Sequence, residues 1–98
     1  MYIQTPIGAR IQATFAGTPG TFTAQNGANA AIVQSLTQNT RISLSATNPA
    51  TASDGLQLKA GDAARLIPLG AGGSFTYQQE TSGASFYIQP IRLDWVNP

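Results

Sequence analysis

The chain has 98 residues, of which 42% are hydrophobic and only 9% charged, with a net charge of +1. That is apolar material enough for one packed core. Five Lys/Arg scattered along the chain do not make the basic face that strong phosphate binding needs, so nucleic acid is not an expected partner. With neither cysteine nor histidine, disulfides, thiolate catalysis, Cys/His zinc sites and histidine triads are excluded, and no cofactor is expected.

Residues 1–8 read as an extended arm, too short and isolated to pack alone. The opening Met1–Pro6 lacks the basic start and apolar stretch of a signal peptide. No apolar run approaches the ~18–20 residues of a membrane span. The expectation is synthesis in the cytoplasm and no membrane partner.

From there on, Gly and Pro interrupt the chain roughly every 8–12 residues, the spacing of an all-β sandwich or barrel. Between the breaks, apolar residues alternate with period two, as strands with one buried and one wet face do. Arg10–Phe15 places Ile11, Ala13 and Phe15 on one face. The stretch from Ala16 to Ala31 is a long loop or one weak hairpin, with turns at Pro19-Gly20 and Asn26-Gly27. Ala28–Leu36 reads as strand because of its β-branched Ile32-Val33. Thr40–Ala46 points Ile42, Leu44 and Ala46 inward, and Leu56–Lys59 is a short piece of the same kind. In Ala63–Leu69, Pro68 forbids a continuing helix and marks an edge strand or bulge. Gly70–Gly73 precedes a strand, Ser74–Gln78, so it is a hairpin connection and not a phosphate loop. Ser85–Gln89 turns Phe86 and Ile88 inward, or else Tyr87; Ile91–Trp95 turns Ile91, Leu93 and Trp95 inward, with Arg92 and Asp94 outward.

The four acidic residues form no motif. Asp54 before Gly55 is turn chemistry, Asp62 reads as a surface pair with Arg65, and Glu80 as a solvated loop residue. Arg41 faces the wet side of its strand, for solubility or for a contact. No residue set offers a general base near neutral pH, so no enzyme is expected. Among the aromatics, Phe15, Phe75 and Phe86 fit core positions and Tyr77 shares Phe75's face. Tyr87 opposes Phe86, and Tyr2 and Trp95 lie where a small domain covers little. Exposed Tyr and Trp anchor protein interfaces or stack on sugars. Tyr2, Ile3, Tyr87, Arg92 and Trp95 are therefore the expected contact residues.

Three segments carry a resemblance: Arg41–Asn48, Gly55-Leu56-Gln57-Leu58-Lys59-Ala60-Gly61-Asp62, and Gly83-Ala84-Ser85-Phe86-Tyr87-Ile88. In these the second 60 or so residues resemble small β-sandwich virion proteins of tailed bacteriophages. The resemblance implies a capsid-decoration (cement) protein or another minor head or tail component. It implies location in the virion, contact with a major capsid or other virion protein, and assembly as a homotrimer or other homo-oligomer. The alternative is a tail or receptor-binding β-module that recognises host glycans.

The expected fold is all-β: a single small antiparallel β-sandwich, jelly-roll or immunoglobulin-like, over residues 9–98, with about 7–9 short strands.

Overall fold

The computed structural model describes residues 1–15 and 17–96. Among these the chain forms nine strands and no helix: β1 (Tyr2–Pro6), β2 (Ile11–Gln12), β3 (Gly20–Thr23), β4 (Ala30–Ser35), β5 (Thr40–Ser43), β6 (Leu56–Leu58), β7 (Arg65–Pro68), β8 (Ser74–Gln79) and β9 (Phe86–Trp95). They build two antiparallel sheets. One runs β1-β9-β4-β7, with β2 also on β9; the other runs β3-β8-β5-β6. The small all-β sandwich expected from the alternation is the fold observed.

β1 and β2 lie along one edge of β9, against Ile91–Trp95 and Tyr87–Ile88. Counted as one bent strand, they reduce nine strands to eight. In that count the first, eighth, third and sixth strands form one sheet. The second, seventh, fourth and fifth form the other. This is the strand order of a jelly roll, two Greek keys wound into a double sheet.

The core lies between the sheets. Val33, Phe86, Ile88 and Ile67 come from the β9 sheet; Ile42, Leu58, Phe22 and Phe75 come from the β8 sheet. Phe15 and Tyr77 pack against it, and their rings meet edge-on, 5.9 Å apart between centroids. Each large apolar side chain removed from water in this way contributes about 1.5–3 kcal/mol. Where the chain passes from β4 to β5, the Ser35 and Thr40 hydroxyls bond to each other inside the core, so neither is left unpaired.

Several elements differ from the sequence reading. The strand expected over Arg10–Phe15 stops at Gln12; Ala13 is buried and Phe15 half-buried. β5 stops at Ser43, leaving Leu44 and Ala46 exposed. The Ser43 hydroxyl donates to the Asn48 carbonyl and the Ser45 hydroxyl accepts from the Thr47 and Asn48 amides, so side chains take the place of a ladder there. Asn26 and Gly27 both have positive φ, 58° and 95°, as a type I′ turn requires. That turn joins β3 and β4, which lie in different sheets, so it does not close a hairpin. Gly70–Gly73 likewise crosses between sheets, from β7 to β8.

The last two strands of the sequence reading are one. β9 runs ten residues through Pro90 without a slip in register. Phe86 and Ile88 face the core, so Ile91, Leu93 and Trp95 face the other way. The inward orientation expected for those three is therefore overturned. Two apolar pairs three residues apart cannot share one face of a continuous strand.

Candidate contact surface

The two outer faces of the sandwich differ in chemistry. On the β8 sheet the outward positions are Thr21, Thr23, Arg41, Ser43, Gln57, Ser74, Thr76 and Gln78, all polar. On the β9 sheet the register lays out uncharged rows. Pro6, Ile91, Ala30 and Pro68 line up across four strands. Gln89, Ile32 and Leu66 form the next row, followed by Gln12, Tyr87 and Gln34. In the other direction Gln4 pairs with Leu93 and Tyr2 with Trp95.

No strand position on this outer face carries a charge. Ile91 and Ala30 are buried there. At its end, beyond β4, the face is open: Tyr2 is 64% exposed and Trp95 61%. Their rings meet edge-on at 5.1 Å and form one aromatic corner. A groove of about 340 Å³ runs beside it, lined by Tyr2, Gln4, Leu93, Asn29, Leu66, Pro68 and Gly70. Large contiguous apolar patches mark interaction sites, which makes this corner the candidate contact surface.

Asn29 holds the floor of this groove. β4 begins only at Ala30, and the Asn29 side chain extends the ladder by one place. Its Nδ2 donates to the Leu93 carbonyl at 3.0 Å, and its Oδ1 accepts the Leu93 amide at 2.7 Å. The β1–β9 ribbon beyond the core is thereby anchored on both edges for one residue more.

The five expected contact residues fall into three groups. Tyr2 and Trp95 sit together on the open face. Ile3 and Arg92 occupy the opposite side of the same ribbon, where Ile3 pairs with Asp94 and Arg92 bonds Asp94 at 3.0 Å. Tyr87 shares the face of Tyr2 but lies at the far end of β9, half-buried, with the Arg10 guanidinium 4.0 Å above its ring. Within residues 1–8, where the sequence suggests an arm, Tyr2–Pro6 pairs with the chain's own last strand and Ile7 packs against the core. Sequence reasoning missed Leu66, Leu93 and Gln4. The signal for the first was the Leu66–Pro68 spacing; for the others it was the parity of β9 once Pro90 is read as strand.

On the polar face, Glu80 is not the solvated loop residue expected. It accepts from Arg41 Nε at 2.7 Å, Gln57 Nε2 at 2.8 Å and Asn39 Nδ2 at 3.4 Å. The Gln57 hydrogen bond above all, with those from Asn39 and Arg41 and the Arg41 charge, holds its carboxyl below the ordinary value of 4.5. Arg41 also donates to the Gly55 carbonyl, so it ties β5 to the loop before β6. The ion pair expected between Asp62 and Arg65 is not among those formed; the Asp62 carbonyl accepts from Gln34 instead.

Among the described residues, no group of three or more His, Cys, Asp or Glu side chains could hold a metal ion. No helix among them is long and apolar enough to cross a membrane. Comparison with protein-family models, curated proteins and solved structures gave no match.

Proposed function

We propose that the chain is a non-enzymatic structural protein of a virus particle, decorating or cementing the capsid of a tailed bacteriophage by symmetric protein–protein contacts. The observation that carries this reading is the outer face of the β9 sheet, whose strand positions carry no charge and which is open at Tyr2 and Trp95, on a sandwich whose opposite face is wholly polar. One face to bind and one to keep wet is what a protein lying flat on a larger surface needs. The jelly roll recurs in viral shells and in lectins. Low charge limits repulsion among many copies held side by side, and repetition multiplies a modest contact into firm attachment. The lowered Glu80 carboxyl is ill placed for proton transfer near neutrality, in keeping with a passive role.

The test is co-sedimentation. Added to particles of its native source that lack it, the protein pellets with the shells, and Trp95→Ala weakens that attachment. A protein that stays in the supernatant removes the reading.

The second reading is a tail or receptor-binding module for host glycans. It is favoured by the exposed Tyr2 and Trp95 rings beside the Gln4 amide at the groove, a stacking surface next to a hydrogen-bonding group. Retention on a glycan array, lost in Trp95→Ala, would select it over cementing.

A further inference from the structure

The free edge of β1 has a donor and acceptor pattern that fits a second copy of itself. In an antiparallel pair, residues exchange both hydrogen bonds at every second position and point their main-chain groups away at the others. Met1 and Val96 are a bonded pair: the Val96 amide donates to the Met1 carbonyl at 2.7 Å, and the Met1 amino group donates to the Val96 carbonyl. Ile7 donates to the Pro90 carbonyl at 2.9 Å. The odd-numbered residues between them, Ile3 and Thr5, are therefore those bonded to β9. Tyr2 and Gln4 turn their N–H and C=O outward, and Pro6 turns out a carbonyl alone. Among the described residues β1 has no strand partner other than β9, and Tyr2, Ile3, Gln4 and Pro6 are all exposed.

Edge strands are ordinarily guarded by charge or proline. β7, the opposite edge of this sheet, carries Arg65 and Pro68. Residues 1–9 contain no charged side chain, and Pro6 sits at the end of β1, where its missing N–H interrupts nothing in the middle. We propose that β1 pairs antiparallel with β1 of a second copy about a two-fold axis, with Gln4 opposite Gln4, fusing the two β9 sheets into one.

The charge pattern is compatible with this register. With Gln4 on the axis, Tyr2 donates to the second copy's Pro6 carbonyl, and Thr5 lies opposite the second copy's Ile3. Read across the ribbon, Arg92, Thr5, the second copy's Ile3 and its Asp94 then form one row, with opposite charges at its ends. A shift of one residue in each copy would put Ile3 against Ile3 and Asp94 on the same row as Asp94, like facing like. On the other side, Tyr2 and Trp95 meet the second copy's Pro6 and Ile91, so the uncharged face becomes continuous across the axis. This goes beyond the cementing role and is separable from it: a dimer that ignores shells would overturn only the role, and a monomer that binds them only the dimer.

The experiment is sedimentation equilibrium of the full chain and of Gln4→Pro, with circular dichroism on both. The Gln4 N–H does not serve β9, so Gln4→Pro keeps the native β spectrum. It removes one interchain hydrogen bond per copy and weakens self-association by about 30-fold. In the wild type the Tyr2 and Gln4 amides exchange slowly with deuterium as the dimer forms. A wild-type chain that sediments as a monomer at high concentration overturns the proposal. So does a Gln4→Pro variant that dimerises as tightly as wild type.

Discussion

Asn29 closes both main-chain groups of Leu93, giving to its carbonyl at 3.0 Å and taking from its amide at 2.7 Å. One side chain thus does the work of a strand residue that β4 does not supply. It holds the ribbon that carries Tyr2 and Trp95 at a fixed angle to the sandwich.

Replacing it tests that role. Asn29→Ala leaves the Leu93 amide and carbonyl unpaired in a part-buried place, at a cost of about 1–3 kcal/mol in urea unfolding. Asn29→Asp keeps the acceptor and loses the donor, and falls between the two. A change of under about 0.5 kcal/mol in Asn29→Ala would mean that the ribbon holds itself.

Glu80 makes stability depend on pH. Its carboxyl is lowered in the folded state, so its contribution is fully present above the ordinary value of 4.5 and is lost as pH falls through the folded value. The wild type therefore loses thermal stability below about pH 4.5 more steeply than Glu80→Gln. The difference between their melting temperatures narrows as the solution is acidified. Parallel curves would show that the Gln57, Asn39 and Arg41 contacts do not favour the ionised form.

Much of this was legible beforehand, and the misses have physical causes. β6 and β8 were legible by alternation and β4 by its β-branched Ile32-Val33, and Pro68 marked β7 as an edge or a bulge. Leu44 misled because alternation does not reveal when serine and asparagine side chains will capture the backbone and end a strand. Glu80 misled because its partners come from three separate stretches, at Asn39, Arg41 and Gln57, which only the folded sheet assembles. The open face escaped because proline usually ends a strand. Pro90 sits in the middle of β9, beside an exposed ribbon where the missing N–H is tolerated. Tyr2 and Trp95 were found from residue type and their place near the termini, whereas their pairing is a matter of register.

Trp95 separates stability from attachment. The edge-on contact with Tyr2 is worth about 0.5–1.5 kcal/mol, and the indole is mostly exposed, so Trp95→Ala lowers folding stability by about 1 kcal/mol. Binding to the particle falls further, by about 2 kcal/mol or more, as expected of an aromatic anchor. Equal losses in both would place Trp95 in the fold and not in a contact.

Gly55 is held by sterics. With φ of 118°, a Cβ there would stand 2.7 Å from the Ile42 carbonyl oxygen, against the middle of β5. Gly55→Ala costs about 1–3 kcal/mol in thermal or urea unfolding. Gly17→Ala, with nothing within 4 Å of its added methyl, changes stability by no more than about 0.5 kcal/mol. Equal stability of the Gly55→Ala and Gly17→Ala variants would show that the loop before β6 can move away from Ile42.

The most direct test of the central claim is to purify virus particles from the native source by density gradient and quantify this chain in them by mass spectrometry. The expected result is a fixed, repeated number of copies per particle that falls with Trp95→Ala. Finding the chain only in the soluble fraction, with none in the particle band, would contradict it.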